Sequence, residues 1–263
     1  MNTLQWRHAG FWHDQAVEIL AGLLAGAFIG SVLGLVGAGG AMLSVPILLF
    51  ISGFTPLHAS TAALAVVFAA AAFGSIPKFR KHDVLIREAL TIWGLGLITN
   101  VGGSWLSHRV SGTFITTGFA VVLFFAATSM LVRPPGGTEK RIPFLILVGV
   151  SLLIGSITGL FGIGGGFLAI PILVLFFHTP QNKAAGTSLV IISMNSLTAL
   201  LAHQPIWHEI NWSVPGSMTV SAIIVATLAS HTSAKFSAVG LRRAFAFLLY
   251  AVAIFTLLET YFF

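Results

Sequence analysis

The chain has no cysteine. Disulfides, thiolate metal sites and thiol nucleophiles are therefore excluded. Charge is scarce as well: 8% of the 263 residues are Asp, Glu, Lys or Arg, where a soluble domain carries about 25%. The acids are Asp14, Glu18, Asp83, Glu88, Glu139, Glu209 and Glu259. All fall near the ends of apolar segments or between them, so a mid-membrane carboxylate relay or Na⁺ site is not expected. The lysines, at 78, 81, 140, 183 and 235, also lie away from mid-span, which argues against a Schiff-base cofactor. No Walker loop and no Ser/His/Asp arrangement occurs, and no cofactor or metal is expected. His203 and His208 with Glu209 give only a weak metal signal, lacking further ligands. Residues 1–15 hold no apolar run before Ala16 and do not read as a signal peptide; Trp6, Phe11 and Trp12 suit an interfacial anchor.

What is abundant is apolar side chain. Hydrophobic residues make up 56% of the chain and the mean hydropathy is +0.97. No soluble core absorbs that much, so the solvent is a bilayer. Apolar segments are expected at 16–36, 42–51, 59–76, 86–106 and 113–132, then, after a polar linker at 133–141, at 142–161, 167–177, 184–202, 214–230 and 241–263. Most have the roughly 20 residues that a spanning helix needs. The second and seventh do not, and read as half-helices or strongly thinned spans. The domains expected are an N-terminal interfacial segment 1–15, a first membrane repeat 16–132, a cytoplasmic linker 133–141 and a second repeat 142–263.

The net charge of +6 would suggest nucleic acid in a soluble protein; here it sets orientation instead. With the N-terminus outside, eleven of the thirteen basic residues fall in inside loops and only Arg7 and Arg109 lie outside, as the positive-inside rule requires. The same assignment gives the two halves opposite topology. The expected class is thus all-α: a polytopic integral membrane protein of two inverted-topology repeats, with helices broken or shortened at Gly-rich loops.

Those loops organise the chain. Residues 30–48 recur at 155–173, with 11 of 19 positions identical in an ungapped comparison. The shared residues are mostly glycines and a proline, the types that set backbone shape. Gly37, Gly39 and Gly40 match Gly162, Gly164 and Gly165, and Pro46 matches Pro171. Each cluster leads into a short helix whose first N–H groups lack partners and carry partial positive charge. Glycine lets a ligand approach those donors, which makes an anion site without Arg or Lys. Glycine in membrane helices also serves close packing; the duplication with matched prolines favours a functional loop. Pro46 and Pro171 each delete a donor and kink the short helix. After the short helices, Thr61 stands in Ala59-Ser60-Thr61-Ala62, and Thr187 and Ser188 in Ala185-Gly186-Thr187-Ser188. The two threonines are expected to face each other across the pseudo-twofold axis, binding an oxyanion or capping their own helices. Asn195, costly to bury in an apolar helix, needs a partner; Asn100 is its analogue in the first half. Either asparagine serves equally as helix–helix glue.

The two Gly-x-Gly-Gly…Pro loops and the Ala-Ala-Gly-Thr-Ser-Leu run resemble the sulfite exporter TauE/SafE family of bacterial membrane permeases, over nearly the whole chain. The resemblance implies a multi-pass plasma-membrane carrier for sulfur-containing anions such as sulfite or organosulfonates. Its motif positions fall on Gly37, Gly39, Gly40, Pro46, Gly162, Gly164, Gly165, Pro171, Thr187 and Ser188, and Ala62 departs from the Thr-Ser pair. The partners expected are a small anionic solute and the lipid bilayer, with no oligomeric state assigned. The alternatives are an anion channel on the same architecture, or a membrane assembly factor or enzyme.

Overall fold

The computed structural model describes residues 3–38, 40–50, 52–131, 143–161, 169–170, 173–174, 179–233 and 237–262. Among these, every element longer than a turn is a helix: α1 (Thr3–Val36), α2 (Gly40–Phe50), α3 (Pro56–Arg80), α4 (Ile86–Ser107), α5 (Gly112–Leu131), α6 (Phe144–Phe161), α7 (Gln181–Ala202), α8 (Ser213–Thr232) and α9 (Ala238–Phe262). A 3₁₀ turn, Gln204–Glu209, joins α7 to α8. Six of the helices, namely α1 from Val17, α3, α5, α7, α8 and α9, are long and apolar enough to cross a membrane. Outward faces carry Leu145, Ile98 and Phe125, each at least 75% exposed, side chains that only lipid would leave unpenalised. This is a polytopic membrane protein.

Local chemistry sets the helix ends. The α1 helix runs through the expected boundary at residue 15 without a break. It stops at Gly37, whose φ of +78° is the left-handed conformation that closes a helix, and whose N–H bonds the Leu33 carbonyl at 2.8 Å. The start of α3 has Pro56 at the first helical position and Thr55 as cap, its hydroxyl accepting from the His58 N–H. The short α2 keeps Pro46 inside its 11 residues.

Two helices form the core. By the span criterion α3 and α7 are the most buried, at 67% each, and they pack on one another antiparallel. Thr61, early in α3, meets His203 at the end of α7, while Gly186, early in α7, abuts Lys78 and Asp83 at the end of α3. The flanking pairs join opposite halves of the sequence. On α1, glycines 22, 26, 30 and 34 form one ridge against Val214, Met218, Ala222 and Ala226 of α8; an added methyl would strike α8 backbone at Gly26, Gly30 and Gly34 and the Ser217 hydroxyl at Gly22. On α6, Gly155 and Gly159 lie on Gly96 and Asn100 of α4 in the same parallel sense. Lipid tails offer helices no hydrophobic drive to associate, so contact this close is what holds them together. The last pair, α5 and α9, is antiparallel, with Thr117 and Thr128 bonded to the hydroxyls of Tyr261 and Tyr250. Exchanging the halves therefore maps α1–α8 onto α6–α4, and α3–α7 and α5–α9 onto themselves with direction reversed.

Candidate functional site

The two ends of the α3–α7 pair differ in character. One end gathers Lys78, Arg80, Lys81, Arg87 and Lys183, from the end of α3 and the starts of α4 and α7. The other gathers His58, His108, His203 and His208 with Arg109 and Glu209.

At the basic end, Gly37 sits directly on Ala185, in the first turns of α7. The next residue, Gly186, lies against the Asp83 carbonyl, where a side chain would not fit. Thr187 Oγ1 accepts the Leu85 N–H at 2.9 Å; Leu85 is the residue before α4, so Thr187 caps the helix of the other half rather than its own. Ser188 is fully buried. Lys78 was expected in a loop as a topology charge. It lies instead inside α3, 3% exposed, with Nζ donating to Ser233 Oγ at 2.8 Å. Gly40 opens α2 and packs on Ile29 and Leu33 of α1.

At the histidine end, Thr61 Oγ1 is 2.6 Å from His203 Nδ1 and Ser107 Oγ is 3.4 Å from His203 Nε2. Each hydroxyl also reaches a carbonyl of its own helix, Leu57 O and Ser104 O, so either can give its proton there and accept the single N–H of a neutral ring. The His108 ring stands edge-on to His203, with centroids 4.9 Å apart. His203 is fully buried; that burial, helped by the neighbouring His108, pushes its pKa down from the usual 6.5 to about 4. Burial also lowers His108, with Glu209 opposing. Ser60 Oγ donates to the carbonyl of Phe161, the last residue of α6. His58 Nε2 pairs with Glu209 at 3.1 Å, one turn before Thr61 on α3. Among the described residues no metal-binding group of His and acids forms.

Between the ends, Asn100 Nδ2 donates to both the main-chain carbonyl and the side-chain oxygen of Asn195, at 3.0 and 3.1 Å. Asn195 thus has the partner its burial demands. Asn100 Oδ1, Asn195 Nδ2, Ser104 Oγ and Ser196 Oγ remain buried without hydrogen-bond partners.

The expectation that Thr61 and Thr187 face each other is corrected. Each lies early in its helix, and the helices run in opposite directions, so the two hydroxyls occupy opposite ends of the bundle. Gly39, Gly162, Gly164, Gly165 and Pro171 lie outside the described residues. Lys78 and His203 were missed as site residues. Their position, a basic residue closing the last turn of each long central helix, was the signal available in the sequence.

The family model described as sulfite exporter TauE/SafE matches residues 22–256. A probable membrane transporter protein of Xylella fastidiosa is 28% identical over 243 residues, covering 89% of this chain and 92% of that one. The probable membrane transporter protein YunE of Bacillus subtilis is 26% identical, over 74% and 80%. A shorter match, 40% identical over 31% of each chain, is to a probable membrane transporter protein of Methanocaldococcus jannaschii. No solved structure matches. A bundle of long apolar helices, two halves exchanged through glycine contacts, and a family match across nearly every residue agree: the chain is a membrane transporter of the sulfite exporter TauE/SafE family.

Proposed function

We propose that this transporter moves small sulfur-containing anions, sulfite or organosulfonates, out of the bacterial cell through a path along the α3–α7 pair. The observation that carries the reading is reciprocal. The glycine end of α1 rests on the head of α7 (Gly37 on Ala185), and the end of α6, just before the second glycine cluster, is bonded by the head of α3 (Ser60 to Phe161). Each half therefore brings a described helix end, Gly37 after α1 and Phe161 at the close of α6, against the head of a core helix of the other half, at opposite ends of the bundle. Helix N-termini with small neighbours hold anions by dipoles, weakly enough to release them.

The basic end is cytoplasmic by the positive-inside rule. The antiparallel equivalents α3–α7 and α5–α9 support an inverted repeat, and alternating access is the mechanism that such repeats serve. The bodies that rock are mixed ones, because α1 travels with α8 and α6 with α4 through their glycine faces.

The test is flux of labelled sulfite and sulfoacetate in proteoliposomes. Saturable, counterflow-stimulated flux that Gly164→Leu abolishes in well-folded protein is the expected result. Undiminished flux in that variant removes the second loop from the path, and conductance without saturation turns the carrier into a channel.

A further inference from the structure

We infer that Lys78 is an anion-binding residue at the cytoplasmic mouth, the fixed positive charge against which a small oxyanion docks beside the head of α7. The inference rests on the anion-carrier reading above and names a cationic residue that dipoles alone did not require.

Lys78 lies within the α3 span, and only 3% of it is exposed. A lysine near a helix end ordinarily extends its stem and places its ammonium in water. Lys81, one turn later, does so: it is exposed and donates to the His231 carbonyl at 3.1 Å. Lys78 turns inward, to Ser233 at the end of α8. Among the described residues no carboxylate pairs with it; the charges acting on it are Asp83, beyond ion-pairing reach, and Lys81. An ammonium has three protons to donate, and the described structure occupies one of them. Buried ionisable groups within a span are costly, and they mark solute paths where no structural ion pair explains them.

The surroundings suit an anion. Gly186 lies against the Lys78 stem, and Gly37 lies against Ala185 one residue before, so the lysine and the first glycine loop flank the same turn of α7. A second observation is independent of that helix start. Ser230, one turn before Ser233, is fully buried and its hydroxyl has no partner. Ser233, the acceptor of the Lys78 ammonium, itself donates to the Ser230 carbonyl at 3.0 Å; an unsatisfied hydroxyl one turn from the lysine's own partner is what a bound oxyanion would complete.

The test uses the purified full chain, with sulfite, sulfoacetate and the uncharged dimethyl sulfone as probes, read by ligand-induced thermal shift and by calorimetry. Wild type is expected to bind both anions and not the sulfone. Lys78→Met is expected to raise the apparent Kd about tenfold or more, and Lys78→Arg to retain most of the binding. Because the chain lacks cysteine, Lys78→Cys carries a unique thiol. Aminoethylation rebuilds a lysine-like ammonium and should restore the anion shift; ethylation, without charge, should not. This arm also serves if Lys78→Met fails to fold. Anion binding at wild-type Kd in Lys78→Met, or equal recovery with both reagents, overturns the role of Lys78 and leaves the carrier reading standing. Absence of binding of either anion by wild type, with flux of neutral solutes, overturns both.

Discussion

Lys78 and His203 are 125 residues apart, the same offset that relates the two glycine stretches. Each ends a core helix, is buried, and reaches a serine at the end of a helix from the other half: Ser233 for Lys78, Ser107 for His203. His203 bonds Thr61 in the first turns of the opposing core helix, and the Lys78 stem lies against Gly186, the residue before Thr187. The places are equivalent and the chemistry is not. One end holds an aliphatic amine, charged over a wide pH range when solvated. The other holds an imidazole that burial keeps neutral at physiological pH. Two positions alike in sequence offset thus make the two ends of the α3–α7 pair chemically different.

Experiments can break or sharpen this contrast. The largest effect is expected from Gly186→Val, which forces a branched side chain into the Asp83 carbonyl and the Lys78 stem. It should cost at least about 2–3 kcal/mol, read as lost monodispersity and a lower Tm. Acidification acts on the opposite end. His203 has a folded pKa of about 4 against 6.5 unfolded, so the unfolded chain takes up the proton first. Stability is full above about pH 6.5 and falls as pH drops towards 4, by about 3 kcal/mol if this group acts alone. His203→Gln should flatten that slope in a pH series of melting temperatures, whereas Lys78→Gln should not. Thr187→Val removes the acceptor of the Leu85 N–H and should cost about 1–2 kcal/mol. The smallest effect belongs to Arg109→Ala, whose guanidinium sits 4.0 Å over the exposed Trp105 ring. The loss should be under about 1 kcal/mol with unchanged flux, which would separate surface charge at the histidine end from the buried pair.

Much of this molecule was legible in the sequence, and the reasons are physical. A bilayer allows few choices, so among the described residues apolar runs of the right length became helices where expected, and the 11-residue α2 stayed short; the expected segment 167–177 lies mostly outside the described residues. Asn100 and Asn195 were legible because a buried amide must find a partner. Gly30 and Gly34 proved to be packing residues on α8, a role the sequence left beside the functional one, since close approach and ligand access demand the same missing side chain. The threonines misled because equivalent helices in opposed halves run in opposite directions: residues alike in sequence position are then far apart along the membrane normal. Lys78 was counted among loop charges because hydropathy ends a segment at the first charge, while the α3 backbone continues to Arg80.

The ridge of glycines on α1 has a consequence for how the protein is made. Its partner surface is α8, which leaves the ribosome only after most of the chain has been inserted. Until then α1 stands in lipid with a bare backbone groove, and so does α6 if α4 has not yet reached it. Membrane insertion and tertiary assembly are thus separated in time, and a truncated product ending before α8 would leave that groove open to whatever small-residue helix it meets first.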